Sequence, residues 1–67
     1  MTADDMRQTL ERLEAERRLA AVSPLHDNAT YMDDLETDLE AARDAYVALA
    51  VTEIASLRAQ LSGPQTG

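Results

Sequence analysis

Apolar residues recur along this chain in two stretches with helical spacing. In each stretch they follow one another at intervals of three and four residues, which is the spacing of a helix face that packs against another helix. The second stretch is longer than the first, and Arg17 is a polar residue within the first. The first series is Ala3, Met6, Leu10, Leu13, Arg17 and Ala20, and the second is Leu35, Leu39, Ala42, Tyr46, Ala50, Ile54, Leu57 and Leu61.

Proline, serine and glycine mark the ends of these two helices. Proline disfavours helical geometry in the preceding residue, so Ser23-Pro24 ends the first helix. Alternatively, Ser23 caps a short turn that has Pro24 in its first position. Gly63-Pro64 is a typical helix C-terminus. We predict helix 1 over about 3–22, a loop over 23–29, helix 2 over about 30–62 and a tail over 63–67.

Both predicted helices begin with a threonine followed three residues later by an acid. Thr2 precedes Asp5, and Thr30 precedes Asp33. This spacing resembles a capping box, in which two side chains satisfy the free N–H groups of the first turn. The sequence therefore predicts helix starts at Thr2 and Thr30.

A short connection between two amphipathic helices predicts an antiparallel hairpin. The fold class is all-α: a single domain over 1–67 with a short helix 1 and a long helix 2, coiled-coil-like in its packing. If the turn centres near His26, Arg17 lies near Glu36, so the polar residue of the first series meets an acid. The predicted hairpin core consists of Met6, Leu10, Leu13, Leu35, Leu39 and Ala42.

Unequal helix lengths leave part of helix 2 uncovered. Helix 1 is expected to end beside Leu49, so that about a dozen residues of helix 2, roughly 18 Å, project beyond it. Exposed apolar surface of this kind marks a contact with another chain. The run 45–51 is apolar on every side and is expected at the centre of an oligomer. The predicted oligomer interface consists of Tyr46, Val47, Ala50, Val51, Ile54, Leu57, Arg58 and Leu61.

The composition supports association with another copy. A chain of 67 residues forms one small domain, and such domains often need disulfides, metals or self-association. Cysteine is absent, so disulfides are excluded. We therefore predict a homodimer with four helices. Parallel and antiparallel pairing, a tetramer, and one continuous helix kinked at Pro24 are alternatives that the pattern leaves open.

The charge balance restricts the partners. The net charge is −7, from 13 acids and 6 bases, and every base is arginine. Nucleic acids and anionic membranes need a basic surface, so we predict neither as a direct partner. No segment has the length of a membrane span. The acidic N-terminus lacks the order of a signal peptide, and the cytoplasm is the expected location. The absence of lysine and phenylalanine suggests a high-GC genome, such as that of an actinobacterium or its phage, for which the host cytoplasm or virion would be the location.

Two short motifs carry weak chemical signals. Tyr31-Met32-Asp33-Asp34 spells the metal-binding motif of reverse transcriptases. In that family the motif lies at a strand turn inside a large domain, whereas here it opens a helix, where acids favour the helix dipole. His26 stands beside Asp27, but one histidine with mobile carboxylates makes a poor metal site. We expect neither a metal nor a cofactor.

The function predicted from these patterns is non-enzymatic: a structural or interaction role with self-association as the main activity. A second hypothesis is a regulatory or inhibitory binder whose acidic face meets a basic protein and whose apolar helix 2 end docks on it. That face comprises Asp33, Glu36, Glu40 and Asp44. A third, enzymatic hypothesis would place Tyr46, Glu53 and Arg58 around a shared cavity.

Overall fold

A computed structural model describes residues 1–63 as two helices joined by a tight turn. Helix α1 spans Ala3–Ala21, a 3-10 turn spans Pro24–Asp27, and helix α2 spans Ala29–Leu61. Within residues 1–63 there is no strand. The prediction of an all-helical hairpin with a short and a long helix is confirmed. Of the predicted tail, residues 64–67 lie outside the described residues.

Helix α1 begins with the capping box that the sequence predicts. The Thr2 hydroxyl accepts the Asp5 N–H at 3.1 Å, and the Asp5 carboxylate accepts the Thr2 N–H at 3.0 Å. The Thr2 N–H favours the charged carboxylate to which it donates and so lowers the pKa of Asp5, and the Thr2 side chain acts in the same direction. Asp4 also lies in the first turn and Arg18 in the last, where each complements the helix dipole. Helix α1 is therefore stabilised by contacts within its own ends.

The connection is more regular than the predicted loop. The Ser23 hydroxyl accepts the Leu25 N–H at 3.2 Å, and Pro24 occupies the first turn of the 3-10 segment. This is the alternative in which Ser23 caps a short turn. Proline suits that position because its fixed φ matches the turn and its missing N–H has no partner to lose.

The predicted cap of helix α2 is wrong by two residues. Asn28, not Thr30, is the cap: its side-chain oxygen accepts the Tyr31 N–H at 3.0 Å. Asparagine is among the strongest N-cap residues, and Asn28 follows the 3-10 turn directly. Thr30 and Asp33 therefore lie inside the helix. At the other end, the Ser62 N–H donates to the Arg58 carbonyl at 2.8 Å.

The core of this hairpin is thin. The principal dimensions are 66 × 15 × 14 Å, which is one layer of two helices. Leu39 is fully buried at the centre, and Leu10, Leu13, Tyr31 and Met32 pack in part against the cluster around it. Among residues 1–63 the buried apolar residues are Ala3, Ala20, Leu35, Leu39 and Ala42.

Candidate interaction surface

Three polar contacts between the helices set how far α1 extends along α2. At the turn end, the Tyr31 hydroxyl donates to Glu16 Oε1 at 2.8 Å. In the middle, Arg17 Nε lies 2.7 Å from Glu36 Oε1, which is the predicted pairing of these two residues. At the open end, the Ala3 N–H donates to Glu53 Oε1 at 3.2 Å. These contacts establish an antiparallel register over the whole length of α1.

The Ala3–Glu53 bond corrects the predicted length of the overhang. The apolar spacing predicts that the open end of helix 1 lies beside Leu49, but in the structure the first residue of α1 lies beside Glu53, four positions further along α2. The part of α2 that projects is therefore 54–61, about 12 Å of helix. The free N–H groups at a helix start attract a carboxylate, and Glu53 fills that role from the opposite helix.

Apolar side chains remain exposed along one side of the second half of α2. We call Val47, Val51, Ile54, Leu57 and Leu61 the distal stripe. Each is more than half exposed, from 54% for Ile54 and Leu57 to 76% for Leu61. Val51 and Ile54, with Ala55 and Arg58, also line a shallow depression. This stripe is the largest concentration of exposed apolar side chains in residues 1–63.

Direction, as well as length, explains why the distal stripe is exposed. Val47 and Val51 are 59% and 60% exposed, although α1 still runs beside this part of α2. At 3.6 residues per turn, the series Val47, Val51, Ile54 points about 110° around the helix from Leu35 and Leu39, which face α1. A longer α1 would therefore leave these side chains uncovered.

The other predicted interface and core residues divide between the two sides of α2. Tyr46 and Ala50 are half-buried, whereas Arg58 is exposed. By helical spacing, Tyr46 and Ala50 share the face of Leu39 and Ala42 that packs on α1. Met6, a predicted core residue on α1, is half-buried as well. Residues missing from the predicted core are Ala3, Ala20, Tyr31 and Met32.

A second apolar patch, missed in the sequence analysis, lies at the turn. Leu19 is 70% exposed, Val22 84% and Leu25 43%. We call these three residues the turn-end patch. Leu19 and Val22 fall outside the main apolar series of helix 1 but continue from Ala15 at steps of four and three. That secondary spacing is the signal that could have revealed the patch.

The charged residues form three different environments. Arg7 bridges Asp4 and Glu11 at 2.7 Å each, and its hydrogen bond, with one from Gln8, lowers the pKa of Asp4. Arg17, Arg18 and Arg43 line a shallow groove that also contains Glu14 and Ala21. On α2, Glu36 pairs with Arg17. Within residues 1–63 no ion pair forms on the neighbouring acids Asp33, Asp34, Asp38, Glu40 and Asp44.

The residues considered for metal binding do not converge. His26 Nε2 lies 3.1 Å from Asp27 in the exposed turn. Asp33 and Asp34 are exposed on α2, and the Tyr31 hydroxyl is held by Glu16. In the part of the chain that the structure describes, no group of three or more His, Cys, Asp or Glu side chains could hold a metal ion.

No family model, curated protein or solved structure matches this chain. Neither α1 nor α2, within residues 1–63, combines the length and apolar character needed to cross a membrane. The exposed surfaces described above are therefore the features of the protein that bear on its function.

Proposed function

We propose that this chain is a non-enzymatic, self-associating protein with a structural or interaction role, and that two copies pair through the distal stripe. The observation that carries the proposal is the row of five apolar side chains, each more than half exposed, on the second half of α2. Burial of a side chain of this size contributes about 1.5–3 kcal/mol. A second copy, which carries the same stripe, would bury all five on each side.

The thin core supports the same proposal. Two of the five buried residues are leucines and the other three are alanines. A core of this size gives little net stability to a small domain, which then needs another source of stabilisation. Pairing would convert a single layer of two helices into a four-helix, coiled-coil-like arrangement with a second packed surface.

The test is sedimentation equilibrium of the wild type beside the double variant Ile54→Asp/Leu57→Asp. Buried aspartates would oppose burial of the stripe, so the wild type should be a dimer and the variant a monomer with lower helicity. A matched control is Leu19→Asp/Val22→Asp, which places two acids in the turn-end patch and should leave the dimer intact. A monomeric wild type at high micromolar concentration would reject the proposal.

A second candidate function is docking of a basic protein on the acidic side of α2. The specific observation is that the five acids Asp33, Asp34, Asp38, Glu40 and Asp44 find no arginine partner within residues 1–63. Unpaired charges of one sign attract a surface of the opposite sign and accelerate association with it. Added salt would weaken such a complex much more than an apolar homodimer.

This candidate is tested by NMR titration with an arginine-rich helical peptide at low and moderate salt. The variant Asp33→Asn/Glu40→Gln/Asp44→Asn serves as the control, because it removes charge while it retains side-chain size. Shifts confined to the acidic side of α2, and absent from the variant, would support docking. Equal shifts around all the acids of the protein would show only general charge attraction.

A further inference from the structure

We infer that the second copy docks with its α2 antiparallel to the first, centred on Ile54, so that Val47 of each copy faces Leu61 of the other. This inference rests on the proposed self-association and specifies its geometry. The observation that supports antiparallel pairing is the distribution of charge along the face of α2 that contains the distal stripe.

Charged residues share a heptad series with four members of the distal stripe, whereas Leu57 lies one residue before Arg58 and outside that series. Val47, Val51, Ile54, Arg58 and Leu61 follow one another at steps of four and three. The same spacing extends backwards to Asp44 and Glu40, which are both exposed. The face therefore changes along the helix from acidic to apolar, with one arginine near its end.

Parallel pairing in register would place like charges opposite each other. It places Glu40, Asp44 and Arg58 each against its own copy, because equivalent residues face each other across a parallel seam. Like charges at such close positions are destabilising, and here all three charged positions of the face would be affected. Parallel pairing would also bring the charged halves of the two hairpins side by side.

Antiparallel pairing about Ile54 avoids these contacts. The overlap then covers 47–61, which is the apolar segment, and the partner helix ends at Leu61. Glu40 and Asp44 lie beyond that end and face no helix. The charge pattern and the helix end therefore select the same overlap.

Arg58 is separated from its own copy in this arrangement. It faces Ala50 of the second copy, so the two arginines lie eight residues, about 12 Å along the axis, apart. Antiparallel pairing therefore removes the contact between like charges that the parallel arrangement imposes at Arg58.

Helix α1 leaves room for the second copy. Where α1 begins beside Glu53, the stripe residues Val47, Val51 and Ile54 point about 110° away from α1 around the axis of α2, and packed helices lie 8–10 Å apart. The axis of the partner helix would then run roughly 15 Å from α1, a separation at which the helix backbones do not clash.

Cysteine cross-linking tests the orientation, because the native chain contains no cysteine. Ile54→Cys should cross-link to itself in either orientation and therefore reports self-association. Val47→Cys and Leu61→Cys should each remain unlinked alone and become linked when the two variants are mixed. Asp44→Cys should remain unlinked. Circular dichroism of each reduced variant verifies that the helices are retained.

The outcomes separate the orientation from the proposed function. Cross-linking of Val47→Cys and Asp44→Cys to themselves, together with Ile54→Cys, would establish parallel pairing and overturn this inference while it leaves self-association intact. If Ile54→Cys remains unlinked and the protein is monomeric, both the antiparallel geometry and the proposed self-association are overturned. Oligomers larger than a dimer in sedimentation equilibrium of the wild type would indicate head-to-tail contacts between the distal stripe and the turn-end patch, and would also overturn the antiparallel dimer.

Small-angle X-ray scattering provides an independent measurement. An antiparallel dimer centred on Ile54 would have a maximum dimension of about 90 Å, because the two turns point in opposite directions. A parallel dimer would keep the 66 Å length of one protomer. A dimer of the shorter length would contradict the inference.

Discussion

At the scale of single residues, a few side chains account for the packing and register of the hairpin. Leu39 is the only fully buried large side chain within residues 1–63. Arg17, a polar residue in an apolar series, retains solvent contact and pairs with Glu36 across the helices. An exposed pair of this kind contributes about 0–1 kcal/mol, so its main effect is on register.

The variant Leu39→Ala should destabilise the protein by about 2–5 kcal/mol, because the thin core cannot close the cavity. Leu19→Ala removes the same atoms from a side chain that is 70% exposed and should change stability by no more than about 0.5 kcal/mol. Urea unfolding followed by circular dichroism measures both. Equal losses for the two variants would show that Leu39 does not occupy the core.

Tyr31 should make stability depend on alkaline pH. Its hydrogen bond to Glu16 raises the pKa of the phenol above its ordinary value of 10.0. Because the folded state then favours the protonated phenol, this stabilisation is complete below pH 10.0 and is lost as the pH rises through the folded-state pKa. Loss of the proton would place two negative groups side by side.

Spectrophotometric titration of Tyr46→Phe measures Tyr31 alone, since the chain has two tyrosines. The absence of lysine removes the other common side chain that titrates in this range. Adding Glu16→Gln removes the acceptor charge and should lower the pKa of Tyr31. An unchanged titration curve would mean that the two residues are not paired in solution.

At the scale of the helices, the ends of α1 and α2 depend on local side chains. Thr2 and Asp5 form a reciprocal cap on α1, and Asn28 caps α2. Glu53 adds a contact from the opposite helix, so the start of α1 is bound both to its own cap and to α2. These contacts satisfy free N–H groups at the starts of both helices in a domain with few buried residues.

The variant Asn28→Ala should cost about 0.5–2 kcal/mol, because it removes the acceptor for the free N–H of Tyr31. Thr30→Ala is the matched control, since Thr30 is the cap predicted from the sequence. Thr30 lies inside α2, where alanine is the better helix former, so this change should be neutral or slightly stabilising. Thermal unfolding distinguishes the two, and a larger loss for Thr30→Ala would restore the sequence-based cap.

At the scale of the whole molecule, shape and surface act together. The hairpin is 66 Å long and about one helix pair thick, so much of its apolar surface cannot be covered from within the chain. The distal stripe lies towards one end and the turn-end patch at the other. The net charge of the whole chain, −7, favours solubility and opposes non-specific association. Any association must therefore occur through a limited surface.

Self-association should make the unfolding temperature rise with protein concentration. Unfolding then includes dissociation, so mass action favours the folded dimer as concentration increases. Differential scanning calorimetry over a hundredfold range of concentration measures the shift, and Ile54→Asp/Leu57→Asp should show none. A wild-type unfolding temperature that is independent of concentration would contradict the dimer.

The sequence by itself determined the helical class, the two unequal arms, the capping box at Thr2 and the pairing of Arg17 with Glu36. The first three features depend on local spacing, which is visible in one dimension, and the pairing of Arg17 with Glu36 follows from the position of the short turn between the helices. Thr30 was predicted as the cap of helix 2 because an acid follows it at capping-box spacing. Asn28 is the cap instead, because it directly follows the 3-10 turn, and the path of that turn decides where the helix begins.

Only the tertiary structure decided which apolar side chains remain uncovered. Tyr46 and Ala50 lie in the same apolar run as Val47 and Val51, yet the first pair is half-buried and the second pair is exposed. The Ala3–Glu53 bond likewise shortened the overhang from about a dozen residues to eight (54–61). Both results depend on the direction and register of α1 against α2, which are set by contacts between residues that are distant in sequence.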